Sequence, residues 1–169
     1  SLSLQLTDHC NYNCKYCGHF SNIAQPRFYD FEQFKKDLKR IYKLKGRCVL
    51  GCIKLTGGEP LLLPNIIDYI VFLREYFPKE TIELYTNGLL LDKKDKSFFK
   101  DLRFYRTDLI ITNYGINADW KYIIDNCLKN ETHFGFLTEN NFFDPDKITP
   151  ENIDSFMKKS FFKLNLDLT

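Results

Sequence analysis

The sequence predicts an α/β fold in which parallel strands alternate with helices and form a curved sheet. Six short segments with strand character alternate with five segments of helical periodicity along the 169 residues. Cysteines, glycines and polar residues follow the predicted strands, as is typical of repeated βα units on a parallel sheet. Crossovers between parallel strands are right-handed, so such units wind the sheet progressively and leave the helices outside. Six units are fewer than the eight that close a TIM barrel.

The first βα unit is predicted at the start of the chain. Residues 3–7 alternate apolar and polar side chains, which predicts a strand that leads directly to Cys10. Asp30 has the chemistry of a helix N-cap, and apolar residues recur at helical spacing from Phe31 to about Lys45.

The next two units follow directly. Residues 52–56 and 81–86 are predicted strands. Pro64 is expected at the first position of the second helix, which Pro78 ends. The third helix is expected over residues 92–104.

The last three units are predicted in the second half of the chain. Asn117 is expected to cap the fourth helix, and the pair Thr149-Pro150 to begin the fifth. The remaining predicted strands are residues 108–112, 133–138 and 161–168.

Composition and charge favour small-molecule chemistry over binding to nucleic acids or membranes. The chain has 24 Lys and Arg against 22 Asp and Glu, which is too balanced for a nucleic-acid surface. No apolar run reaches the roughly 18 residues of a membrane span, and the first residues do not resemble a secretion signal. With 44% hydrophobic residues, the chain has material for one core. We therefore expect one cytoplasmic domain over residues 1–169, with neither a membrane nor a nucleic acid as partner.

Cys10, Cys14 and Cys17 are spaced C-x3-C-x2-C within eight residues, which indicates an iron–sulfur site. A cubane cluster has four irons, so three thiolates leave one iron open to another ligand. An alternative is a structural zinc site that adds His19, because zinc binds Cys3His sets readily. Structural zinc sites usually draw their ligands from two separated pairs, whereas these residues lie in one short loop.

The other three cysteines are scattered. Cys48, Cys52 and Cys127 have apolar neighbours, and we expect them to be buried thiols that act as small hydrophobic side chains. This pattern does not match a secreted disulfide framework and indicates a reducing compartment.

The cysteine loop resembles the hallmark of the radical SAM enzymes, C-x3-C-x-Φ-C, whose aromatic position is Tyr16 here. Thr56-Gly57-Gly58-Glu59-Pro60 follows about forty residues later and matches the GGE(P) motif of that family. The resemblance implies a partial (β/α)6 barrel that carries a [4Fe-4S] cluster and S-adenosyl-L-methionine (SAM). It also implies that the reduced cluster cleaves SAM to methionine and a 5′-deoxyadenosyl radical, which takes a hydrogen atom from the substrate.

The resemblance also implies roles for individual residues at the strand ends. Glu59 is expected to accept a hydrogen bond from the SAM ammonium group, while Gly57 and Gly58 allow the methionyl group to approach the backbone. Tyr16 is expected to contact the adenine through its backbone. The other expected cofactor contacts are Phe136 or Leu137 over an adenine face, Thr112 or Asn113 on the ribose, and Asn87 at the end of the third strand.

Residues 17–21 and 28–30 resemble a subgroup of radical SAM proteins associated with sugar or surface-polysaccharide genes. That resemblance implies a small-molecule or sugar-linked substrate and an electron donor such as flavodoxin or ferredoxin. Members of the subgroup continue past strand six into a cysteine-bearing tail, so we expect this chain to be a fragment or a minimal version. The alternative function is a non-catalytic binding or scaffold module stabilised by zinc or an iron–sulfur cluster.

Overall fold

The computed structural model describes residues 1–14, 17–21, 23–46, 48, 50–112, 114 and 118–137. Within these ranges five strands alternate with four α-helices. The strands are β1 (Leu2–Gln5), β2 (Cys52–Thr56), β3 (Thr81–Thr86), β4 (Thr107–Thr112) and β5 (Phe134–Leu137). The helices are α1 (Phe31–Lys45), α2 (Ile66–Tyr76), α3 (Lys96–Phe104) and α4 (Trp120–Lys129).

The five strands form one parallel sheet in which they lie in sequence order. A helix connects each strand to the next, so all carboxyl ends of the strands lie at the same edge. The predicted α/β fold with a parallel sheet is confirmed. The predicted fifth helix and sixth strand lie outside the described residues.

The two faces of the sheet differ in polarity. Leu4, Leu55, Leu84 and Leu109 lie side by side across four strands and are between 0% and 8% exposed. Apolar side chains of all four helices join these leucines in one core, because each helix turns an apolar stripe to the sheet. The opposite face carries partly exposed polar side chains, including Lys54, Glu83 and Tyr85.

Several predicted boundaries agree with the structure. β2 and β3 begin and end where predicted. β4 begins one residue earlier than predicted, and the bounds of β1 and β5 differ from the predicted ones by one or two residues. Asp30 caps α1 as predicted, because its side chain accepts a hydrogen bond from the Gln33 amide at 2.9 Å. Gly46 ends this helix with a φ of +53°, a conformation that favours glycine.

The predicted starts of the second and third helices are wrong. A 3₁₀ turn at Pro60–Leu62 follows β2, and α2 begins only after Asn65, so Pro64 is not its first residue. A second 3₁₀ turn, Leu91–Lys93, takes up the predicted start of α3. Each turn takes up residues between the strand and the helix, so the helix begins later than predicted.

Aspartate side chains cap the third and fourth helices. Asp95 caps α3, and its side chain accepts a hydrogen bond from the Phe98 amide at 3.1 Å. Asp119 caps α4, and its side chain accepts from the Tyr122 amide at 2.9 Å. Asn117, which was predicted to cap α4, lies outside the described residues.

The difference between the two faces predicts the effect of two neighbouring substitutions in β4. Leu109→Ala removes a side chain of the fully buried row and should lower the free energy of unfolding by about 2–5 kcal/mol. Ile110→Ala changes the partly exposed opposite face and should cost clearly less. Urea unfolding followed by circular dichroism measures both, and equal losses would contradict the assignment of the core face.

Candidate functional site

The carboxyl edge of the sheet encloses a cavity of about 330 Å³. The loop after β1 contributes Cys10, Cys14 and Cys17 to its wall, and the loop after β2 contributes Gly57 and Gly58. The ends of the other three strands complete the wall with Thr86, Asn87, Thr112 and Leu137. The structure therefore gathers residues from five strand ends at the edge where βα folds place their sites.

The three loop cysteines are thiols outside any disulfide and have intermediate exposure. Partial burial raises the pKa of the Cys10 thiol, and the nearby Glu59 carboxylate and Cys17 thiol act in the same direction. The Tyr12 amide opposes this shift because it donates a hydrogen bond to Cys10 Sγ at 3.4 Å. Among the described residues, no three His, Cys, Asp or Glu side chains converge closely enough to hold a single metal ion.

Gly57 and Gly58 allow two backbone segments to approach each other closely. The amide of Gly58 donates to the Thr7 carbonyl at 2.8 Å, and the amide of Glu59 donates to the His9 carbonyl at 2.8 Å. A Cβ atom on Gly58 would lie 2.2 Å from the His9 oxygen, and one on Gly57 would lie 2.6 Å from the Thr7 oxygen. Gly57 also has a φ of +151°. The glycines are therefore needed to join the cysteine loop to the end of β2, a role that the sequence analysis did not foresee.

The Glu59 carboxylate is fully buried and does not line the cavity. Its Oε1 accepts hydrogen bonds from the Leu61 amide at 3.0 Å and from the Thr86 hydroxyl at 2.7 Å. Its Oε2 accepts from the Asn87 amide at 2.8 Å. These contacts connect the end of β2 to the end of β3. The predicted contact of this carboxylate with a SAM ammonium group stays a prediction.

Asn87 lines the cavity and is only 6% exposed. Its side-chain Nδ2 donates to Asn11 Oδ1 at 2.8 Å and to Cys10 Sγ at 3.8 Å. Its Oδ1 accepts from the Leu89 amide at 3.0 Å, which fixes the orientation of the side-chain amide. The structure thus places this predicted cofactor-binding residue directly against the cysteine loop.

The residues predicted to bind adenine and ribose differ in their position relative to the cavity. Thr112 lines the cavity, whereas Tyr16 and Asn113 lie outside the described residues. Phe136 does not line the cavity and instead packs edge-on against Trp120, with ring centroids 5.9 Å apart. Successive side chains of a strand point to opposite faces, so Leu137, which follows Phe136 in β5, faces the cavity. Leu137 is therefore placed to cover a ligand, and Phe136 is not.

Three tyrosines of the cavity wall were missed in the sequence analysis. Tyr12 and Tyr114 stack on each other with centroids 5.7 Å apart, and they join the cysteine loop to the segment after β4. Tyr85 reaches the cavity from β3, and its hydroxyl donates to Glu83 at 2.7 Å. Strand alternation in β3 could have placed Tyr85 on the face opposite Leu84, but no signal in the sequence pairs Tyr12 with Tyr114.

The remaining cysteines and the two flanking histidines lie in different surroundings. Cys127 is fully buried, as predicted, and burial raises its pKa to about 12. Cys52 is partly buried and Cys48 is exposed, so the prediction of burial is wrong for Cys48. His19 lines the cavity, whereas His9 packs edge-on against a phenylalanine outside the cavity wall.

The sequence profile of the Radical SAM superfamily matches residues 4–119, more than half of the chain. The chain belongs to the radical SAM superfamily. Membership of this superfamily implies a [4Fe-4S] cluster and SAM as cofactors, in agreement with the prediction. The cavity fits such cofactors, because three thiols line one wall and two residues without side chains adjoin them. No helix in the described part of the chain has the length and apolar character to cross a membrane.

Curated relatives of this radical SAM chain include GTP 3′,8-cyclases. The protein of Staphylococcus epidermidis is 33% identical over 106 residues, which cover 59% of this chain and 30% of the relative. The protein of Clostridium perfringens is 30% identical over 146 residues, which cover 76% of this chain and 43% of the relative. This chain thus spans less than half the length of these relatives.

Solved structures share the fold. The crystal structure of BtrN in complex with AdoMet and 2-DOIA has a TM-score of 0.63 at 21% identity and covers 83% of this chain and 56% of BtrN. Native anSMEcpe with bound AdoMet and the Kp18Cys peptide has a TM-score of 0.60 at 17% identity, with coverage of 98% of this chain and 48% of anSMEcpe. The identities are low, so the likeness shows the fold, which agrees with the predicted partial barrel.

The buried Glu59 carboxylate predicts a pH dependence of stability. Burial raises the pKa of Glu59 above its ordinary value of 4.5, and hydrogen bonds from Asn87, Leu61 and Thr86 offset only part of that effect. The folded state then holds the proton more tightly than the unfolded chain. This contribution to stability is complete below pH 4.5 and is lost as the pH rises through the folded pKa.

Urea unfolding of the metal-free wild type and Glu59→Gln between pH 4 and 8 tests this dependence. The wild type should lose stability relative to Glu59→Gln as the pH rises, because glutamine does not titrate. A difference that stays constant over this range, or that changes in the wild type's favour, would show that Glu59 ionises in the folded protein at least as readily as in the unfolded chain.

Proposed function

We propose that this chain forms the core of a radical SAM enzyme, in which Cys10, Cys14 and Cys17 hold a [4Fe-4S] cluster. One observation carries the proposal. In a chain of this superfamily, the three thiols and the Gly57-Gly58 segment line the same cavity at the carboxyl edge of the sheet. When bound, the cofactors would supply reductive cleavage of SAM and a 5′-deoxyadenosyl radical that removes a hydrogen atom from the substrate.

The chain's own residues would position these cofactors. The cysteine loop is held against the end of β2 by the hydrogen bonds of Gly58 and Glu59 to the Thr7 and His9 carbonyls. Thr112 and Leu137 reach the cavity from the ends of β4 and β5, where they would offer a hydroxyl and an apolar surface to SAM. We propose that Glu59 supports the end of β3, in place of a direct contact with the ammonium group of SAM.

We infer that residues 1–169 belong to one radical SAM core and that Tyr16 and Asn113 complete the SAM site. A small molecule is the proposed substrate class, and a flavodoxin or ferredoxin the proposed electron donor. The sugar-linked substrate expected from residues 17–21 and 28–30 remains part of this proposal. The curated relatives described above are GTP 3′,8-cyclases, so a purine nucleotide is a second substrate class to test.

Iron content after anaerobic reconstitution tests the cluster assignment. The wild type should bind about four irons per chain and show broad visible absorption that bleaches with dithionite. Cys14→Ala should lose the cluster, because two thiolates no longer hold its three corners. Stoichiometric zinc without iron in the wild type would support the non-catalytic alternative.

Cys48→Ala is the matched control, since Cys48 is exposed and does not line the cavity. It should keep the full iron content, as should the joint replacement of Cys48, Cys52 and Cys127 if the protein stays folded. Loss of a third or more of the iron in Cys48→Ala would place a ligand outside the predicted loop.

Formation of 5′-deoxyadenosine from SAM under dithionite tests the enzymatic part of the proposal. We expect slow cleavage by the reconstituted wild type without substrate and none by Cys14→Ala. Addition of GTP or of nucleotide sugars should accelerate cleavage if the compound belongs to the substrate class. Absence of cleavage by wild-type protein that carries its cluster and binds SAM would contradict the radical function of this chain.

A further inference from the structure

Asn87 joins two parts of the site through three hydrogen bonds of its side chain. Its Nδ2 group has two hydrogens, and among the described residues it donates to Asn11 Oδ1 at 2.8 Å and to Cys10 Sγ at 3.8 Å. The Leu89 amide occupies its Oδ1 at 3.0 Å. A flipped side chain would place its NH2 group against the Leu89 N–H, so the contacts themselves select the orientation that aims a donor at the sulfur.

The backbone of Asn87 is held as firmly as its side chain. Its amide donates to the buried Glu59 Oε2 at 2.8 Å, and the preceding Thr86 hydroxyl donates to Oε1 of the same carboxylate at 2.7 Å. With 6% exposure, the side chain is largely removed from water. A hydrogen bond in such surroundings acts more strongly on a charge than one in solvent.

We propose that Asn87 donates a hydrogen bond to the cluster-bound sulfur of Cys10 and thereby raises the reduction potential of the cluster. This inference rests on the proposed function, because it requires a cluster on Cys10. Reduction adds one electron and hence negative charge, part of which is carried by the cysteine sulfurs. An N–H donor stabilises that charge, and hydrogen bonds to the sulfurs are among the factors that set cluster potentials.

Asn87→Leu removes the donor while keeping a similar side-chain volume. The N···S contact is long, so we expect a modest effect. The equilibrium constant for one-electron reduction should fall roughly threefold to tenfold, where a tenfold change equals about 59 mV. Asn87→Asp keeps an acceptor for the Leu89 amide but replaces the donor by a negative charge, so its potential should fall further.

Asn126→Leu provides the matched control. Asn126 is another buried asparagine, at 4% exposure, and its Nδ2 donates to the Tyr122 carbonyl at 2.8 Å within α4. It does not line the cavity. The potential of this variant should equal that of the wild type, because the lost hydrogen bond does not reach the cysteine loop.

Potentiometric titration of the reconstituted chain without SAM, followed by electron paramagnetic resonance of the reduced cluster, measures all four proteins. Potentials of Asn87→Leu and Asn87→Asp equal to the wild type would overturn the inference and leave the proposed function intact. An equal fall in Asn126→Leu would also overturn it, because the effect would then be unspecific.

If Asn87→Leu does not hold a cluster, the potential of Asn87→Asp alone tests the inference. Loss of the cluster in both variants would show a role in assembly in place of tuning, and failure of the wild type to assemble one would overturn both proposals.

Discussion

The site depends on a charged group that the fold buries completely. The Glu59 carboxylate has four acceptor positions, and donors from the protein occupy three of them. Burying an ionised carboxylate is costly unless it is hydrogen-bonded, and here the three donors and the nearby Lys94 cation offset part of that cost. Because the donors come from the loop after β2 and from the end of β3, the carboxylate fixes the distance between these two segments.

Two groups of contacts connect the ends of β2 and β3 to the cysteine loop. On one side, Gly57 and Gly58 bring the end of β2 to hydrogen-bond distance of Thr7 and His9. On the other side, Asn87 reaches Cys10 and Asn11 from the end of β3. The cysteine loop therefore has supports from two neighbouring strand ends. Rigid supports of this kind favour cofactor binding, because less conformational freedom is lost when the cofactor binds.

Much of the fold could be predicted from the sequence, because hydrophobic periodicity reflects burial directly. β2 and β3 have one buried and one partly exposed face, and their alternating sequences predicted both strands to the residue. Helix starts were harder to predict. Asp30 caps α1 as predicted, whereas α2 and α3 begin after 3₁₀ turns, at residues that no local pattern distinguished. Several nearby aspartates and asparagines have the same capping chemistry, and only the path of the chain selects one of them.

Spacing alone predicted the site only in part. The cysteines and Gly57-Gly58 were found from their spacing, since cluster binding and close backbone approach restrict residue type at fixed positions. The partners of Glu59 and Asn87 could not be found in this way, because they come from segments separated by 28 and 77 positions along the chain. The pair Tyr12 and Tyr114 belongs to the same class of long-range contacts.

The contacts of Glu59 also determine how variants at this position have to be interpreted. Glutamine at position 59 can accept hydrogen bonds with one end, but its NH2 group would then face the Asn87 amide, which is itself a donor. A buried donor without an acceptor costs about 1–3 kcal/mol, enough to move the Asn87 segment and with it the donor at Cys10. Weaker SAM binding in a Glu59 variant would therefore not by itself demonstrate contact between this carboxylate and SAM. A direct contact would weaken SAM binding and leave the cluster potential of the SAM-free protein unchanged, whereas support through Asn87 would alter both.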